Sequence, residues 1–195
     1  MRALTRRAVA DAGELARVAA ECASQLEPGL VPVQRPFAAG EVTVDLACAD
    51  ANGRLVLVVC DVVAGPETVL RAVEAVAWWG EHAAALRPSV FPDAALDRDA
   101  APRALIVASR FSDRALRLLR VLGASAPEAV ECRLFQDADG PVVGLGRLDL
   151  AQGAGPPRPA AAVEVTAAAV PGAQSTGAAV LIQRLERLRF SEGFR

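Results

Sequence analysis

The stretch Asp50-Ala51-Asn52-Gly53-Arg54-Leu55-Val56-Leu57-Val58-Val59-Cys60 opens on an Asn-Gly turn signal and runs into six residues that are apolar on both faces. A strand of this kind needs cover on both sides, so Leu55 to Cys60 reads as the centre of a sheet between two layers. Immediately before it, Val42, Val44, Leu46 and Cys48 alternate with Thr43, Asp45 and Ala47. That period predicts one strand over Glu41 to Cys48 with its apolar face toward the core. A further short β-branched run, Val31 to Phe37, is set off by Ala38-Ala39-Gly40. After the central strand, Pro66 suits the first turn of a helix, and Val69, Leu70, Val73, Val76 and Ala77 repeat at helical spacing to about Leu86, where Pro88 closes the pattern.

Outward from this centre the signals alternate. Leu15, Val18, Ala19, Cys22 and Leu26 form a helical stripe over Glu14 to Leu26, ended by Pro28-Gly29. Ala104 to Ala108 is another buried strand. Ser112 can cap a helix over Arg114 to Leu122 that stops at Gly123. Val130 to Phe135 and Val142 to Leu148 read as two more strands joined by the turn Asp137-Ala138-Asp139-Gly140, with a bulge expected at Gly144-Leu145-Gly146. The order is helix, three strands, helix, strand, helix, strand, strand. It predicts an α/β domain over 1–150 whose mixed sheet is flanked by helices. Residues 151–174 read as an Ala/Pro/Gly-rich linker, and 175–195 as a C-terminal amphipathic helix and tail bearing Leu181, Ile182, Leu185 and Leu188.

Composition narrows the chemistry. The 195 residues are 53% hydrophobic and 23% charged, enough for one well-formed core and against wholesale disorder. The net charge of -2 gives no global basic field, so contact with nucleic acid has to rest on local patches. All 21 basic residues are arginine; without a lysine there is no Schiff base, no Walker-type phosphate lysine and no lysine base. The four cysteines, Cys22, Cys48, Cys60 and Cys132, lack paired metal-ligand spacing and read as small buried hydrophobes kept reduced. No stretch is long and apolar enough to cross a membrane, and the interrupted basic start is not secretory, so a cytoplasmic protein is expected.

Taken together, Leu26-Glu27-Pro28-Gly29-Leu30, Val44-Asp45-Leu46, Asn52-Gly53-Arg54-Leu55-Val56-Leu57-Val58, Ala64-Gly65-Pro66-Glu67, Trp78 and Ala104 to Ser112 resemble the PD-(D/E)XK nuclease superfamily, and within it the nuclease domain of NucS-like DNA endonucleases. The resemblance spans roughly Glu14 to Phe135. It implies a restriction-endonuclease-like αβββαβ core and a metal-dependent phosphodiesterase. In that family an acidic residue and a Glu-x-Lys on neighbouring strands converge on Mg²⁺ or Mn²⁺, which activates water and neutralises phosphate charge. Asp45 matches the first acidic position. On the next strand Val59 stands where the glutamate belongs and Asp61 where the lysine belongs; in the shifted register Asp61 takes the glutamate's place and Val63 the lysine's. A family glutamine falls near Arg71, and a tyrosine one turn later near Ala75. Arg71 supplies charge but cannot act as a base.

The sequence therefore predicts a catalytically degenerate nuclease fold serving as a DNA- or protein-binding accessory module, with no cofactor. The alternatives are a weak endonuclease in which Asp45 and Asp61 hold Mg²⁺ or Mn²⁺, and a structural or oligomerisation module. Arg110, Arg114, Arg117 and Arg120, spaced four, three and three apart, are expected to line one helical face. With Arg71, the first three are the nucleic-acid candidates. A solvated face explains the stripe as well. DNA, a protein partner on the C-terminal helix and a second copy of the chain are the expected partners. His82 reads as a helix-surface residue, and of Trp78 and Trp79 one belongs to the core and one to the rim. Gly172 and Gly177 have the offset of a phosphate loop, but Ala178 and Ala179 hold its Lys and Ser/Thr positions, so they read as a chance match.

Overall fold

A computed structural model describes residues 4–34, 36–90, 96–97, 100–137 and 140–150. The linker and C-terminal helix expected beyond residue 150 lie outside the described residues. In chain order the elements are β1 (Thr5–Arg7), α1 (Ala12–Glu21), the short α2 (Ala23–Leu26), β2 (Val31–Gln34), β3 (Phe37–Ala39), β4 (Val42–Val44), β5 (Leu46–Ala49), β6 (Leu55–Ala64), α3 (Pro66–Val90), β7 (Arg103–Phe111), α4 (Asp113–Leu122), β8 (Glu128–Asp137) and β9 (Gly140–Arg147). A 3₁₀ turn, Gly123–Ser125, follows α4.

The main sheet has seven strands, ordered β1-β8-β7-β6-β5-β2 with β9 also paired to β8. The strands β2, β5 and β6 run antiparallel as a meander, and β6, β7 and β8 are parallel. This is the mixed α/β sheet predicted, with α1, the meander β2, β5 and β6, α3 and β7 following one another in the expected αβββαβ order. The β3-β4 hairpin is an insertion between the first two meander strands and forms a separate two-stranded sheet.

The central strand behaves as its sequence dictates. Val56, Val58 and Cys60 of β6 pack under α1 with Leu15, Val18, Leu105 and Val107, whereas Val59 packs on the opposite face with Val69, Ala72, Ile106 and Leu119 of α3, β7 and α4. Leu55 and Leu57 extend that second face under the hairpin, against Phe37 and Trp79. Each fully buried side chain of this type contributes ~1.5–3 kcal/mol. All four cysteines are free and buried in the layer under α1, as predicted.

Several expectations need correcting. Glu41 to Cys48 is not one strand. It breaks at Asp45, whose N–H donates to the Val58 carbonyl, so Val44 joins the core under the hairpin while Leu46 and Cys48 join the core under α1. Because apolar residues stand on both sides of the break, period-two counting does not register the change of face. The helix α3 runs through Pro88 to Val90. There is no bulge at Gly144 to Gly146: every β8-β9 pair from Val130↔Arg147 to Asp137↔Gly140 is in step. The strand β1, in a segment read only as a basic start, pairs with β8.

Caps on α1 and α4 follow the sequence closely. Asp11 Oδ1 accepts from the Glu14 N–H at 2.8 Å, and Ser112 Oγ accepts from the Ala115 N–H at 3.2 Å. Gly123, at φ 57°, closes α4. No described helix is long and apolar enough to cross a membrane.

Candidate functional site

Two structural devices bring the predicted acidic residues together. The break in the meander turns Asp45 toward β6, and the first turns of α3, starting at Pro66, lie over the end of that strand. Asp45 Oδ2 accepts the Cys60 N–H at 2.8 Å and one Arg71 N–H, from Nη2, at 3.2 Å. The same Arg71 nitrogen donates to the Cys60 carbonyl at 2.8 Å. A single guanidinium nitrogen thus bridges a carboxylate and a backbone carbonyl. Arg71 Nε is buried without a hydrogen-bond partner, which marks the guanidinium as held chiefly through this one end.

Asp61 follows Cys60 and faces α3. Its Oδ2 accepts from Thr68 Oγ at 2.8 Å, and the same buried hydroxyl accepts from the Gly65 N–H at 3.2 Å. Asp61 is therefore tied into the turn that starts α3. Burial pushes the Asp45 carboxyl above its ordinary range and the nearby Asp61 charge adds to this, while the Cys60 N–H and Arg71 oppose it.

A divalent cation needs several free oxygen ligands. Here the inward oxygen of Asp45 and the Cys60 carbonyl are both satisfied by Arg71, and the Asp61 oxygen is satisfied by Thr68. Among the described residues no group of three His, Cys, Asp or Glu side chains is placed to hold a metal ion. Only one oxygen of each carboxylate is engaged in this way, and Asp45 and Asp61 are brought close without a third such side chain beside them among the described residues.

The arginine stripe divides. Arg114, Arg117 and Arg120 are exposed on α4, whose other face buries Ala115 and Leu119. Arg110 does not share that helical face: it lies in β7, before the Ser112 cap, so the expected four-residue stripe is three residues long. Trp79 is fully buried, edge-on to Phe37 with ring centres 6.0 Å apart. Trp78 is half-buried and stacks on exposed His82 at 4.7 Å, with His82 Nδ1 2.8 Å from the Trp78 carbonyl oxygen. The core, rim and surface assignments hold.

Sequence reasoning missed a charged cluster at the opposite end of β6 and β7. Arg103 contacts Glu27 at 2.5 Å, Glu128 at 2.8 Å and Asp50 at 3.5 Å, and Arg147 engages the same Glu27 and Glu128. Its members come from five separate parts of the chain, so no local spacing announces it.

No family model matches the chain, and no curated protein does. Two solved structures are similar. One is a repair endonuclease from Pyrococcus abyssi, 19% identical over 55% of this chain and 42% of that one, with a TM-score of 0.41. The other is EndoMS in a complex with double-stranded DNA, 23% identical over 60% of this chain and 44% of that one, with a TM-score of 0.44. This chain spans less than half the length of either.

Proposed function

We propose that this chain is a catalytically degenerate nuclease-fold module that grips DNA through arginines and does not cleave it. The observation that carries the reading is the placement of Arg71 Nη2 between Asp45 Oδ2 and the Cys60 carbonyl. A fixed positive charge stands where two oxygens would otherwise face a cation, and it needs no metal to be there. A guanidinium offers no exchangeable ligand position and cannot lower the pKa of a bound water, so it supplies the charge balance of the cleft without its hydrolytic chemistry. The absence of any lysine removes the remaining family group. Exposed Arg114 and Arg117 on α4 are the proposed DNA contacts, because guanidinium groups pair bidentately with phosphate oxygens.

The test is nicking of supercoiled, mismatched and branched DNA in Mn²⁺, alongside DNA binding at rising salt. The expected result is no cleavage by the wild-type chain, with binding that weakens as salt rises and weakens further in an Arg114→Ala, Arg117→Ala variant. Cleavage that disappears in an Asp45→Ala, Asp61→Ala variant would overturn the reading in favour of a metal-dependent endonuclease. Absence of any salt-dependent DNA affinity would leave a protein-binding or structural module.

A further inference from the structure

Away from the Arg71 bridge, the sheet has a gap. Along one edge of β8 the partner is β7 from Glu128 to Glu131, paired with Leu105 to Ala108. From Leu134 to Gln136 the partner on that edge is β1, paired through Arg7 to Thr5. The other edge of β8 is occupied by β9 from Val130 to Asp137. Between the two partners, at Cys132 and Arg133, β7 has already diverged and β1 has not yet begun. A cleft of about 420 Å³ opens at this notch.

Four arginines line it: Arg6 and Arg7 from β1, Arg110 from β7 and Arg133 from β8. Two are engaged by carboxylates, Arg7 by Glu14 at 2.5 Å and Arg133 by Glu131 at 2.6 Å. The second Glu14 oxygen accepts the Ala10 N–H, so that carboxylate is already occupied. Arg6 and Arg110 are exposed and have no acidic partner among the described residues. Four guanidiniums against two carboxylates leave the notch with a surplus of two positive charges. Ser109, which also lines it, holds a buried hydroxyl with no hydrogen-bond partner. Such a buried, unsatisfied hydroxyl calls for an acceptor.

We propose that this notch binds a phosphate monoester carried on a body of about mononucleotide size. The phosphate dianion matches the charge surplus, its oxygens suit the forked donors of Arg6 and Arg110, and one of them gives the Ser109 hydroxyl its acceptor. A bare phosphate would leave most of the cleft empty. The volume falls in the range of small-molecule sites, and Val9, Val62 and Leu134 supply an apolar wall for the rest of the ligand. The same chemistry is offered by a free mononucleotide and by the phosphorylated end of a nucleic acid. The site is independent of the Asp45 cleft and of whether DNA is cleaved.

Titration of the full chain with dTMP and with thymidine tests this, with 5′-phosphorylated and 5′-hydroxyl oligothymidine as a second pair of probes. The phosphorylated member of at least one pair is expected to bind at least tenfold more tightly. Arg110→Ala and Arg6→Ala should each erase most of that ratio, and Ser109→Ala should reduce it. Discrimination within the oligonucleotide pair assigns a nucleic-acid end, and discrimination confined to dTMP assigns a free nucleotide. Equal binding within both pairs, or a ratio that survives both Arg110→Ala and Arg6→Ala, overturns the proposal.

Discussion

Arg71 Nη2 sits 3.2 Å from Asp45 Oδ2 while also donating to the Cys60 carbonyl at 2.8 Å, so one nitrogen ties α3 to the strand break and to the central strand. Arg71→Met keeps the aliphatic stem and removes the charge. Both partners are partly exposed, which places the loss below that of a fully buried pair, at about 1–2 kcal/mol. The variant should also gain what the wild type lacks: a rise in Tm on adding Mn²⁺, because an Asp45 oxygen and the Cys60 carbonyl are released together. Thermal unfolding of both proteins with and without Mn²⁺ checks this. A variant indifferent to Mn²⁺ would mean that the two oxygens do not make a cation site even when freed.

The Asp45 carboxyl is raised above its ordinary value of 3.8, chiefly by burial. A raised acid binds its proton more tightly in the folded state. Its contribution to stability is therefore fully present below pH 3.8 and is lost as the pH climbs through the folded value. Asp45→Asn cannot ionise and keeps an oxygen for the Cys60 N–H. Stability measured by denaturant across pH 3 to 7 should fall with rising pH more steeply in the wild type than in Asp45→Asn over that window. Parallel curves would show that Asp45 is not held above its ordinary range.

Gly40 closes the β3-β4 hairpin at φ 66°, and a Cβ there would lie 2.7 Å from Trp78 Cδ1. Gly40→Ala faces both the left-handed penalty and a clash with an indole that is packed on one side and stacked on His82 on the other. The expected cost is at least about 1 kcal/mol, with a change in tryptophan emission as Trp78 moves. Unchanged emission and stability would mean that the hairpin lifts freely off α3.

Much of this architecture was legible because its signals are local. The all-apolar run Leu55 to Cys60 could only be a doubly covered strand, and Ser112 and Gly123 bracket α4 through their own backbone chemistry. What escaped is non-local. The three residues of β1 are exposed and have no alternation to read; they are a strand because β8 offers an edge beyond the end of β7. The four-arginine stripe does not form, because Arg110 precedes the cap at Ser112 and follows the period of β7, not that of α4. The pairing of Asp45 with Asp61 and a charge from Arg71 are readable in the sequence, but the hydrogen bonds by which Arg71 and Thr68 occupy an oxygen of each carboxylate are not. Those bonds depend on how α3 sits over β6, which no spacing within either element specifies.

At the far end of the strands, Arg103 is the common partner of Glu27, Asp50 and Glu128, joining the end of α2, the β5-β6 turn and the start of β8. Arg147 shares two of these carboxylates, so Arg103→Met leaves Glu27 and Glu128 with one cation and Asp50 with its backbone donors Asn52 and Arg54 alone. The expected loss is about 2 kcal/mol, since the Arg103 side chain is only 15% exposed. Asp50 gives the loss a pH signature. Burial pushes its carboxyl up, but the Arg54 and Asn52 N–H groups and Arg103 together hold it below the ordinary 3.8. A depressed acid stabilises above its ordinary value and loses that contribution as the pH falls through the folded value. The difference between wild type and Arg103→Met should therefore narrow below pH 3.8, as measured by Tm between pH 2.5 and 7. A difference that stays constant across that range would assign the effect to lost packing of the arginine stem, with the Asp50 charge contributing nothing.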